Sequence, residues 1–430
     1  MLLLPLLASA RTLEVGPDKE FATPCAASAV AADGDIVAID AGTYSGDVCA
    51  WTADGLTLRG EGGYATLDAA GQASGGKAIW VIQGDDTIVE RIEFTGATVA
   101  DQNGAGIRLE GTNLTVERCW FHDNENGILA GDNAASDITI MHSVFEDNGY
   151  GDGQSHNLYI NHVNSLTFAF NYTHHAYIGH TLKSRAASTW VLYNVIADGD
   201  DGRGSYQVDL PNGGLGVLVG NVIQQGPAAE NGGMVSFAAE GATNDTQALY
   251  VVNNTFLNDR GAGTFIRNAG EADATVMNNL FVGGGTPLDG PGTPVTNLEP
   301  TGDPFVDAAN GDYHLRVGSE AIDAGSSPGT TESGESLVPS WEPGLDGEEV
   351  RFTVDALDIG AYEYNPDPSD TDTDTDADTD ADADADADTD TDADTDADVE
   401  PEGCGCDGTG GVGLGMGLVA IGMARRRRSS

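Results

Sequence analysis

The segments VERIEF (residues 89–94), VERCWF (116–121), IMHSVF (140–145), FAFNYT (168–173), VLYNVI (191–196), LVGNVI (218–223), VVNNTF (251–256) and VMNNLF (276–281) are variants of one short strand running into a turn. Self-similarity at a spacing of roughly 20–50 residues is the signature of a stacked repeat, so each unit predicts one coil of a solenoid. The fourth positions are Ile92, Cys119, Ser143, Asn171, Asn194, Asn221, Asn254 and Asn279. Asparagines stacked at one bend can satisfy backbone groups and hydrogen-bond from coil to coil. That column predicts an asparagine ladder. Cys119 falls within it and reads as a buried filler, not as a nucleophile or metal ligand.

A second strand family follows the first: GIRLEG (106–111), GILAGD (127–132), HNLYIN (156–161), HTLKSR (180–185), SYQVDL (205–210), MVSFAAEG (234–241) and TFIRNAG (264–270). Two strands per coil plus turns predict a β-helix.

With 430 residues, 40% of them hydrophobic, the chain can bury a sizeable core. The formal charge of −51 is uneven. Aspartate occupies every even position from Asp370 to Asp398, 15 in one tract, and the rest of the chain carries about −36. Nucleic acid is excluded as a partner, because binding it relies on neutralising phosphates with Lys and Arg. The Asp-Thr and Asp-Ala alternation over residues 365–402 repels itself and has no apolar periodicity, which predicts a disordered acidic stalk. Calcium loops need a glycine turn and a bidentate glutamate that this tract lacks. Near the start, the apolar run Leu2 to Leu7 and the small residues Ala8-Ser9-Ala10 read as a secretory signal over residues 1–10. Cys25 and Cys49 would then meet an oxidising compartment, which predicts a disulfide stapling an N-terminal cap.

The strand pattern resembles the pectate-lyase-like right-handed parallel β-helix superfamily over residues 11–364. LEVGPDKEFATPCAA (13–27) and DGDIVAIDAGTYSG (33–46) look like that family's cap and first coil. DPFVDAANGDYHL (303–315), GSEAIDAG (318–325) and DIGAYEY (358–364) resemble the terminal segment of bacterial surface β-helix proteins, with Asp358 to Tyr364 expected to close the solenoid. The resemblance implies an all-β, single-stranded right-handed parallel β-helix. The last segment, residues 403–430, joins GCGC at 403–406 to an apolar stretch from Gly408 to Ala424 and then Arg425 to Arg428. It resembles the myxobacterial C-terminal sorting signal. That likeness implies recognition by sorting machinery, processing near Cys404 or Cys406, and anchoring at the outer-membrane surface.

Alternate residues of a solenoid strand point outward. Placing Leu158, Leu182 and Val208 inside leaves Asn157, Tyr159 and Asn161, then Thr181, Lys183 and Arg185, then Gln207 and Asp209, then Ser236 and Glu240 outside. Coils stack about 4.8 Å apart, so Tyr159, Lys183 and Asp209 are expected in one column. Such a stripe suits a polysaccharide lying along the solenoid. HTLKSR resembles the base-bearing strand of chondroitinase- and alginate-lyase-type β-helices, although those carry an arginine on the next coil where this chain has Asp209. Only Lys183 carries over by position.

Uronate lyases need a neutralising group, a base and an acid. Arg185, Lys183 and Tyr159 are assigned those roles, with Asp209 orienting them. Asn157, Asn161, Gln207 and Glu240 are assigned to substrate. Calcium, held by Asp209 or Glu240, is the one cofactor the stripe admits. Five of the eight histidines lie between His156 and His180, yet no spacing there forces a zinc site. The expectation is a monomeric surface protein acting on a uronate glycan by elimination or epimerisation. A non-catalytic adhesin is the alternative from a different class.

Overall fold

At one corner, successive coils place one residue in the left-handed backbone region and the next in the ladder. Arg91, Arg118, His142, Phe170, Tyr193, Gly220, Asn253 and Asn278, each immediately before a ladder position, have φ between 51° and 69°. The computed structural model describes residues 10–344 and 349–365. Residues 1–9 of the expected signal segment, the acidic tract beyond Asn365, Cys404, Cys406 and the arginine cluster lie outside the described residues.

The described chain is a right-handed parallel β-solenoid of about 10 turns. Helix is confined, among the described residues, to Pro24–Ser28 and a short 3-10 turn at Ala308–Asn310. A ten-stranded sheet takes one strand from each coil in chain order, from Cys49–Trp51 to Thr286–Asp289. A twenty-stranded sheet wraps the remaining faces. Cys25 and Cys49 are disulfide-bonded and tie the capping helix to the first strand of the smaller sheet.

The corner is held by the asparagines. The backbone N–H of Asn194 donates to Asn221 Oδ1 of the next coil at 2.8 Å, and its Nδ2 donates to the same oxygen at 3.0 Å. Nδ2 also reaches back to Phe168 O of the preceding coil at 2.8 Å. Each side chain therefore clamps three coils. Asn171, Asn221, Asn254 and Asn279 repeat the pattern, and Asn297 extends it by one rung. Ser143 Oγ accepts from the Cys119 N–H at 3.1 Å, and burial pushes the Cys119 thiol up to about 12. A second, shorter ladder of Asn124, Asn148 and Asn157 fixes another corner. Inside, Phe94, Phe121 and Phe145 stack with centroids 4.9 and 4.8 Å apart, the rise of one coil.

The solenoid strands end at Val295, short of the expected boundary at 364. Residues beyond it run back along the outside: Ser340 N–H donates to Tyr193 Oη at 3.0 Å, and Glu332 N–H to Tyr250 Oη at 3.1 Å. Asp358 to Tyr364 does not close the last coil. Its Ala361 N–H donates to Thr255 Oγ1 and its Gly360 N–H to Asn278 O, so it lies on the flank of earlier coils. There a fully buried Arg351 pairs with Glu363 at 2.8 Å and donates to the Asp358 and Gly360 carbonyls.

Replacing Asn221 by alanine strands the buried Asn194 N–H and the Val191 carbonyl. At roughly 1–3 kcal/mol for each lost buried partner, Asn221→Ala should cost about 2–5 kcal/mol, read as a lowered urea midpoint. Asn297→Ala, at the half-buried last rung, should cost less.

Candidate active site

Tyr159, Lys183, Asp209 and Ser236 occupy the middle of short parallel strands, Leu158–Ile160, Leu182–Ser184, Val208–Leu210 and Gly233–Phe237, and pair in direct register. Each points out of the ten-stranded sheet because its neighbours Leu158, Ile160, Leu182, Val208 and Leu210 fill the core. Upstream, the same outward column runs Val81, Arg108, Leu129, so the face is largely apolar until Tyr159.

The polar side chains converge. Lys183 Nζ lies 3.3 Å from Asp209 Oδ2 and 3.0 Å from Glu240 Oε1. Arg185 closes the group: a guanidinium nitrogen is 2.6 Å from Glu240 Oε2, Nε donates to Tyr159 Oη at 3.0 Å, and Nη1 donates to Asn212 Oδ1. Two cations thus meet two carboxylates, and the quartet is neutral as a whole. Lys183 and Asp209 are buried, whereas the Glu240 side chain is 49% exposed and forms the solvent side of the cluster.

The two carboxylates are unlike. Burial pushes the Asp209 carboxyl above its ordinary value, against the attraction of Lys183. Burial acts on Glu240 too, but its hydrogen bonds from Arg185 and Lys183 outweigh it and hold that carboxyl below the usual range. Glu240 is therefore held as a carboxylate between Arg185 and Lys183.

Behind the stripe, His156 and His180 stack with centroids 4.8 Å apart. Backbone N–H groups of His180 and Tyr206 donate to the Nδ1 atoms of His156 and His180, at 2.9 and 3.3 Å. Both rings are thereby acceptors at Nδ1, which leaves the proton on Nε2; that of His180 faces Asp209 Oδ2 at 3.5 Å. Burial, followed by nearby positive charge, drives His156 well below its ordinary value and His180 down to about 3.

Two of the residues assigned to substrate are elsewhere. Asn157 is fully buried in the second ladder, donating to Thr173 Oγ1 and His174 O, and Gln207 is fully buried with Nε2 on Asp198. Neither reaches the stripe. Asn161 is half-buried and its Oδ1 accepts from the His162 N–H. Asn212, absent from the expected set, is in the cluster; its place in the turn after Val208–Leu210 gives no periodic signal. A cavity of about 810 Å³, lined in part by His314, Arg316, Glu342 and Phe352, shares no residue with the stripe.

The model of the right-handed β-helix region matches residues 26–161. Among solved structures, the chain is similar to pectate lyase Pel9A, at 16% identity and a TM-score of 0.55, over 83% of this chain and 97% of that one. The likeness is one of fold. A pectin methylesterase from Aspergillus niger aligns at 13% identity and a TM-score of 0.31, over 67% of this chain and 82% of that one. No curated protein sequence matches the chain.

The buried neutral histidines set an acid limit. A folded value below the unfolded one, ~6.5, means that stability is complete above about 6.5 and is lost as pH falls toward about 3 for His180. His180→Gln should flatten the decline in urea midpoint between roughly pH 6.5 and pH 4, where the unsubstituted chain loses stability.

Proposed function

We propose that this protein acts on a uronate-containing polysaccharide by β-elimination or by the related epimerisation. The observation that carries the reading is the convergence of Tyr159, Lys183, Arg185 and Asp209 on one outward column, with Glu240 bridging the two cations. A glycan lying along the stacked strands brings a sugar carboxylate to Arg185, where it takes over the place of Glu240. Displacing Glu240 also removes one of the two carboxylates that hold the Lys183 ammonium, whose proton passes to the buried Asp209 carboxylate 3.3 Å away and leaves an amine to accept the next one. Lys183 takes the proton beside the sugar carboxylate, while Arg185 stabilises the charge that develops there. Tyr159, hydrogen-bonded to Arg185, is placed to deliver a proton to the departing glycosidic oxygen. Elimination then leaves a carbon–carbon double bond. Return of the proton to the opposite face instead gives the epimer.

Glu240 or Asp209 would hold calcium, as oxygen ligands of the kind it favours, and its charge would help to neutralise the sugar carboxylate. Secretion, with attachment to the outer surface of the cell through the tail beyond residue 402, would put a monomeric enzyme beside extracellular glycan. The self-neutralised quartet favours a second reading, a surface adhesin that holds polysaccharide without turnover.

Incubating the full chain with alginate, pectate and glycosaminoglycans, with and without calcium, should raise absorbance in the unsaturated-uronate band. Lys183→Ala should lower that rate by about 10²–10⁴-fold. Because Asp209 needs a cationic neighbour, Lys183→Arg is the cleaner variant: it keeps the ion pair but supplies no base. A rise unaffected by either substitution moves the base elsewhere. No rise on any glycan, with retained binding, supports the adhesin.

A further inference from the structure

On a different sheet from the stripe, the adjacent His174 and His175 turn their rings toward each other. Their Nδ1 atoms are in hydrogen-bond contact and the rings meet edge to face at 4.8 Å. Consecutive residues of an extended strand point to opposite faces. Here the strand Tyr172–His174 ends and His175 takes φ 49°, which swings the second ring to the side of the first. The preceding coils turn the same corner at Asp123 (54°) and Asp147 (51°), and the next turns it one residue later, at Gly199 (69°). A Cβ at 199 would come within 3.0 Å of the His175 ring, so glycine makes room for it. Glu146 pairs in register with His174, which sets Asp147 one coil before His175.

The far nitrogens are held by carboxylates. His174 Nε2 is 3.1 Å from Glu146 Oε2, and His175 Nε2 is 3.2 Å from Asp201 Oδ1. Glu146 is itself fixed by the Trp120 indole N–H at 2.8 Å. A carboxylate facing Nε2 calls for a proton on that nitrogen. Two neutral rings so arranged turn bare lone pairs on each other at Nδ1. Such a contact is repulsive unless a cation is shared there, either a third proton or a metal ion. Metal-bound histidines commonly have this outer arrangement, in which the carboxylate sets the tautomer and raises the ligand's basicity.

We propose that His174 Nδ1, His175 Nδ1 and the Asp147 carboxylate bind a divalent transition-metal ion of the copper, nickel or zinc class. Paired imidazoles select these ions over calcium and magnesium, which prefer all-oxygen sites. Among the described residues, no three such groups already converge on a point, so binding includes a local adjustment. Cis nitrogens bonded at ~2.0–2.1 Å to one ion lie roughly 3 Å apart. A small ring rotation reaches that spacing, and Asp147, one coil before His175 at the same corner, turns in as third ligand. The His175 side chain is 30% exposed, which gives the ion a path in.

The test is calorimetric titration of the untagged full chain with Cu(II), Ni(II) and Zn(II) in excess magnesium, which occupies the acidic tract. One ion per chain is expected. His174→Ala and His175→Ala should each abolish that site, and Asp147→Asn and Glu146→Gln should weaken it by about tenfold or more. The copper electron-spin spectrum of the unsubstituted chain should show two nitrogen ligands, a readout independent of how the variants fold. An oxygen-only spectrum, or uptake unchanged in the double histidine variant, overturns the proposal. No uptake above the magnesium background also overturns it and leaves a proton as the shared cation.

Discussion

The structure depends on one recurring bargain at the asparagine corner. Each coil must bend sharply after a left-handed residue, and for bulky residues such as Tyr193, Phe170 or Arg91 that conformation is unfavourable by roughly 1–3 kcal/mol. The bend also buries an N–H group that no strand partner can reach. A side-chain amide oxygen from the next coil accepts that N–H, and the same amide's Nδ2 returns to a carbonyl of the coil that the N–H came from. Strain at the corner is thus offset by bonds between coils. The corner holds only where neighbours stack, so stability is distributed as nearest-neighbour contacts.

Fixed corners give a fixed register, and register is what assembles the chemistry. Tyr159, Lys183 and Asp209 come from coils about 25 residues apart in sequence, yet they meet because their strands pair without slippage. The same holds for Glu146 beside His174 on another face. Buried neutral histidines and the second ladder lie beneath the site, so its polar groups stand on a floor whose hydrogen bonds are already committed.

The column of Lys183 was legible in the sequence because alternation holds at the centre of a strand. It fails one step further out. The site strands are only three residues long at Leu158–Ile160, Leu182–Ser184 and Val208–Leu210. Asn157 and Gln207 therefore belong to the preceding turns, where backbone direction has changed and the side chains fold inward. Arg185 and Glu240 also lie beyond strand ends, but their long side chains reach back across the face. Asn212 was illegible for the opposite reason, since its place is set by a loop with no period. The left-handed residue before each ladder position was equally hidden, because arginine, histidine, phenylalanine and tyrosine give no hint of that conformation. The return path of residues 299–344 and 349–365 rests on long-range contacts, such as Ser340 on Tyr193, that no local pattern encodes.

The ladder also has a direction. From Asn171 to Asn279, every rung donates its backbone N–H toward the C-terminal neighbour. A growing chain therefore always ends in a corner whose acceptor has not yet been made, and each corner becomes satisfied only when the following coil has emerged. Assembly is in this sense ratcheted: every finished coil is locked by its successor, and the newest one is always the loosest. The last acceptor, Asn297, precedes the segment whose later residues run back over the flank.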